Sequence, residues 1–114
     1  MSEASSADPI LVLVRDLIFA TKISATANDV GAGVKMIRDP QKLVGETGRK
    51  LIVDLNLPGA IEAASGWCKA SNHPAVGFVS HTDTATISAA RDAGIQLVMA
   101  RSQFVRVLPE LLKA

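Results

Sequence analysis

Apolar runs rich in strand-forming residues recur along the chain. They cover residues 10–14 (ILVLV), 33–37 (GVKMI), 51–53 (LIV), 75–79 (AVGFV) and 95–99 (IQLVM). Most are unbroken rather than alternating, which predicts strands covered on both faces. Between them lie segments of helical character. In residues 17–30, Phe19, Ile23, Ala27 and Val30 recur at helical spacing, with Asp16 placed to cap the start and Gly31 to stop the end. Residues 41–49 predict a weak helix, interrupted by Gly45 and Gly48. Residues 60–71 are alanine-rich and end near Asn72-His73-Pro74, and residues 84–93 stop at Gly94. A last helix is expected from about 103 to 113, with Ser102 as its cap and Pro109 as a kink or the start of a fresh turn.

Strands alternating with helices five times demand right-handed crossovers and a parallel sheet. The expected fold class is α/β, a flavodoxin-like doubly wound (βα)5 unit with a parallel five-stranded sheet in the order 2-1-3-4-5. The first, third and fourth strands are the most apolar and belong at the centre. The second carries Lys35 and suits an edge.

With 114 residues the chain is expected to form one domain over 9–114 behind a short, polar, flexible tail at 1–8 (MSEASSAD). A hydrophobic share of 48% with 20% charged residues is that of a globular protein. The net charge of +1, with scattered basic residues, gives no electrostatic case for nucleic acid or an anionic membrane. The single cysteine, Cys68, excludes an internal disulfide and a multi-cysteine metal site. No secretory leader is visible, and no apolar run reaches the ~18 residues of a membrane helix, so a soluble, cytoplasmic protein is the expectation.

In a 2-1-3-4-5 sheet the crevice opens beyond the carboxyl ends of the first and third strands. The residues following the strands there are Arg15-Asp16, Asp54-Leu55-Asn56, Ser80-His81-Thr82 and Arg101-Ser102. The pattern predicts one polar cluster of Asp16, Asp54, Ser80 and Arg101, with Arg15 beside it.

The stretch VDLNLPG (53–59) places a strand-ending aspartate ahead of an apolar residue and a proline, FVSHTD (78–83) ends a strand on a hydroxyl, and AARDAGIQLVMARSQF (89–104) links a helix, a strand and a basic turn. Together they make the chain resemble response-regulator receiver domains over about residues 9–112. The resemblance implies a signal-transduction role in which Asp54 is the phosphoacceptor and Ser80 the switch hydroxyl. Asp16 and Asp54, with the backbone carbonyl of Asn56, would hold Mg²⁺. Two positions depart from the family pattern. Arg15 replaces the first of an acidic pair, and Arg101, followed by Ser102 rather than proline, replaces a lysine. A cation at position 15 opposes metal binding, and Arg15 is expected instead to clamp Asp54 or Asp16 bidentately. The resemblance is therefore to a single-domain, degenerate pseudo-receiver.

Plainer roles compete at each position. Asp54 suits a strand-end acid paired with an arginine, Asp16 an N-cap or ion pair, and Ser80 a local hydrogen bond. Neighbouring Ser80 and His81 would point oppositely along a strand, which speaks against a nucleophile pair. The glycines at 31–33 follow a helix and precede a strand, the reverse of a dinucleotide loop, so they read as a turn. Trp67 is expected to be partly buried and His73 solvated. Phe104, Val107, Leu108, Leu111 and Leu112 exceed one helical stripe, which leaves both core and an interaction surface open.

The first functional expectation is a stand-alone receiver-like module without an attached output domain. It would act through a protein partner, with no cofactor and an impaired phosphorylation site. The alternative is a working receiver that takes phosphate on Asp54 from a histidine kinase with Mg²⁺. A small flavodoxin-like enzyme or nucleotide binder ranks below both, because no phosphate-cradling glycine loop follows the first strand. The partner, whether kinase, downstream protein or a second copy in a homodimer, stays open.

Overall fold

The computed structural model describes residues 8–80 and 83–113. The flexible tail expected at 1–8 therefore lies almost wholly outside the described residues, as does His81. The strands are β1 (Ile10–Leu13), β2 (Val34–Ile37), β3 (Lys50–Asp54), β4 (Ala75–Val79) and β5 (Leu97–Ala100). They form one parallel sheet in the order β2-β1-β3-β4-β5. The helices are α1 (Leu17–Val30), α2 (Ala60–Ser71), α3 (Thr84–Asp92) and α4 (Arg101–Lys113). This is the doubly wound topology that the apolar runs predict.

The unbroken runs bury both faces of the sheet, as helices on each side require. Ile10, Val12, Ile52, Val76, Phe78 and Met99 point to one layer, where Ile23 and Ala27 of α1 and Phe104, Leu108 and Leu112 of α4 cover them. Leu11, Leu13, Leu51, Val53, Ala75 and Val79 point to the other, under Ala60, Ala64 and Trp67 of α2 and Ala90 of α3. The apolar excess in the last helix is thereby resolved as core: Phe104, Leu108 and Leu112 are buried, and Val107 and Leu111 pack against the same cluster.

Three local expectations are corrected. The weak helix at 41–49 does not form; a single 3-10 turn, Pro40–Leu43, takes its place. Gly45 adopts a left-handed φ of 80°. Gly48 lies so close to β1 that a Cβ there would stand 2.6 Å from Leu11 Cγ and 2.9 Å from the Pro9 carbonyl oxygen. A helix through these two positions would require a different backbone and more room. Ser102 is not a cap, because α4 starts at Arg101 directly after β5 and continues through Pro109 as one element. Trp67 is buried rather than partly buried, at 5% exposure, since its indole N–H donates to the Glu46 carbonyl at 3.0 Å.

Candidate functional site

The carboxyl ends of β1, β3 and β5 bring Asp16, Asp54 and Arg101 together. Asp16 has an extended backbone and caps α1, its Oδ1 accepting from the amides of Ile18 at 2.9 Å and Phe19 at 3.2 Å. Its Oδ2 stands 3.6 Å from Arg101 Nη2. Asp54 ends β3; its Oδ1 accepts from the Asn56 amide at 3.0 Å, and its Oδ2 lies 4.0 Å from the same Arg101 nitrogen. At these separations the contacts are electrostatic rather than tight hydrogen bonds. The Asp54 side chain is only 14% exposed, against 41% for Arg101.

A cation in the first turn of a helix opposes the helix dipole, so Arg101 needs compensation from elsewhere. Two carboxylates supply one part. An aromatic floor supplies the other: the guanidinium carbon lies 4.7 Å from the Phe19 ring centre and 5.7 Å from that of Phe78. Phe19, Phe78 and Phe104, the three phenylalanines of the chain, stack against each other with centroid separations of 4.6 to 5.6 Å. The planar guanidinium suits this seat in a way a lysine ammonium does not.

Arg15 does not clamp either carboxylate, and the expectation that it would is corrected. Successive side chains on extended backbone point to opposite sides. Asp16 turns toward α1 and Arg101, and Arg15 turns the other way, its Nε donating to the Arg38 carbonyl beyond β2 at 3.2 Å. The arginine that faces both carboxylates is Arg101, through the single nitrogen Nη2 and without a bidentate clamp.

Ser80 joins the site indirectly. Its amide and hydroxyl both donate to Asn56 Oδ1, at 2.9 and 3.3 Å. Asn56 Nδ2 in turn donates to Asp83 Oδ2 at 2.8 Å. Asp83 caps α3, with Oδ1 accepting from the Thr86 amide at 3.1 Å and Oδ2 from the Thr86 hydroxyl at 2.7 Å. The Thr86 hydroxyl, and after it the Thr86 amide, hold the Asp83 carboxyl below its ordinary range; desolvation opposes them, and the Asn56 side chain adds the least. The sequence reading missed this network. The Asp-x-x-Thr spacing at 83–86 was the available signal for the cap, but the partnership of Asn56 with Ser80 is long-range and has none.

A divalent ion of the Mg²⁺ type wants about six oxygen ligands in near-octahedral array. Asp16 and Asp54 converge there, Oδ1 of each accepting backbone amides and Oδ2 of each facing the Arg101 guanidinium. Among the described residues no group of three or more His, Cys, Asp or Glu side chains is placed to hold a metal ion.

Over 92–94% of its length the backbone superposes on solved receiver domains. One from Methanospirillum hungatei, described as CheY-like, matches with a TM-score of 0.79 at 16% identity, covering 93% of this chain and 90% of that one. The chain has the fold of a response-regulator receiver domain. A response regulator from Thermotoga maritima matches at 0.75 and 14% identity, over 94% of this chain and 95% of the other. Another, from Burkholderia pseudomallei, carries a phosphorylated aspartic acid, a calcium ion and citrate; it matches at 0.75 and 17% identity, over 92% of this chain and 66% of that one. No protein-family model and no curated protein matches the sequence. No helix among the described residues is long and apolar enough to cross a membrane.

Proposed function

We propose that the chain is a receiver-like signalling module that works through contacts with another protein, and that its phosphorylation site is degenerate. The observation that carries this reading is the seat of Arg101, a resident cation facing both Asp16 and Asp54 over the Phe19 and Phe78 rings. Phosphoryl transfer to a carboxylate needs mobile positive charge that a metal ion ordinarily supplies. Here the chain supplies a positive charge of its own, a guanidinium that faces both carboxylates. The role is regulatory rather than enzymatic. Leu17 and Ile18, 63% and 84% exposed beside Asp16, offer apolar surface to a partner at this end of the sheet.

Acetyl phosphate or beryllofluoride with Mg²⁺ tests the reading directly. Intact-mass and amide-shift measurements should show no change. A change that disappears in Asp54→Asn would contradict it and establish the second reading, a working phosphoacceptor served by a histidine kinase. That second reading draws support from the position of Asp54 at the end of β3, low in exposure and facing the crevice. It requires Arg101 to give up both carboxylates.

A further inference from the structure

The replacement of a helix by one 3-10 turn leaves a cavity of about 510 Å³ at the carboxyl end of β2, lined by Arg15, Lys35, Arg38, Asp39, Lys42 and Glu46 among others. Four cations and two carboxylates meet there, in a chain whose whole net charge is only +1. The two acids are already engaged. Glu46 pairs with Lys35 at 2.7 Å, and Asp39 Oδ1 accepts the Gln41 amide that opens the 3-10 turn. Among the described residues Arg15, Arg38 and Lys42 have no ion pair. Arg15 is also oriented: its Nε is fixed on the Arg38 carbonyl, which leaves the terminal nitrogens of the fork to other acceptors.

The geometry points to this cavity as a binding site for a small ligand bearing a phosphate or diphosphate group. Two guanidinium forks and an ammonium match a multiply charged, many-oxygen anion better than a single carboxylate. The volume exceeds what a lone carboxylate fills and suits a diphosphate with a modest attached group. Arg15, which the Asp16–Asp54 site does not use, has its purpose here. The site is independent of whether Asp54 accepts phosphate.

The test is a titration of the ¹⁵N-labelled full chain with sodium pyrophosphate, with inorganic phosphate as a second arm and sodium chloride at matched ionic strength as control. Saturable shifts of the Arg38, Asp39 and Gln41 amides are expected. Arg15→Gln combined with Arg38→Gln should weaken binding roughly tenfold or more, and the exposed Lys42→Gln, which leaves the fold untouched, should weaken it several-fold. Tighter binding of pyrophosphate than of phosphate identifies the diphosphate; equal binding identifies a single phosphate group. Shifts reproduced by sodium chloride, shifts centred on Asp54 and Arg101, or binding indifferent to Lys42→Gln would overturn the assignment.

Discussion

The Arg101 guanidinium carbon lies 4.7 Å from the centre of the Phe19 ring while its Nη2 stands 3.6 Å from the Asp16 carboxylate that caps the same helix. One side chain thus joins the start of α4 to the start of α1 through its face and its edge together. Neither contact is large alone. A half-exposed ion pair contributes at most about 1 kcal/mol, and a cation over an aromatic ring a similar amount.

Arg101→Ala should therefore lower stability by only about 1–2 kcal/mol in urea denaturation. Arg101→Lys should recover part of the loss, because it restores the charge but not the planar contact. A loss indistinguishable from zero in Arg101→Ala would show that the aromatic seat is incidental.

Asn56→Ala removes the acceptor of the Ser80 amide and hydroxyl and a donor to Asp83. A loss of about 1–2 kcal/mol is expected, with amide shifts at Ser80, Asp83 and Thr86. Shifts confined to the immediate neighbours of residue 56 would show that the β3 and β4 loops are not coupled through this side chain.

Asp83 sets an acid dependence. Its folded-state carboxyl is held below the ordinary value of 3.8, first by the Thr86 hydroxyl. A group depressed on folding adds stability above its unfolded pKa and loses it as pH falls through the folded one. Stability should accordingly decline on the acid side of the usual carboxylate range. Thr86→Ala should move the Asp83 titration, followed by carboxyl ¹³C shifts, upward. An unmoved titration would reassign the cause.

Gly48→Ala forces a Cβ against Leu11 Cγ and the Pro9 carbonyl. Overpacking of this kind costs about 1–3 kcal/mol. Thermal denaturation of this variant, beside a Gly45→Ala control where no atom lies within 4 Å of the added Cβ but φ is 80°, separates steric crowding from backbone strain. A neutral Gly48→Ala would show that the loop can move off β1.

The parts of the fold that were legible follow from burial. Strands covered on both faces are written as runs such as ILVLV and AVGFV, and the caps Asp16 and Gly31 mark both ends of α1. The second crossover was not legible, because a weak helical pattern competes with the left-handed backbone at Gly45 and with the tight packing of Gly48 against β1, which is a tertiary fact. The site was legible in position but not in direction. Asp16, Asp54 and Arg101 were placed together by strand order alone. Which of the two arginines would face the carboxylates depends on side-chain alternation at Arg15 and on an aromatic floor assembled from three separate elements.

A Mg²⁺ titration of the wild-type chain beside Arg101→Ala, followed by the amide shifts of Asp16, Asp54 and Asn56, tests the central claim most directly. A unit charge about 4 Å away is worth roughly 4 kcal/mol at an effective dielectric of 20, and less at a half-exposed site. The wild type should stay silent at millimolar Mg²⁺ while Arg101→Ala shows saturable shifts. Saturable shifts of equal size and midpoint in both proteins would mean that the guanidinium does not stand in for the ion.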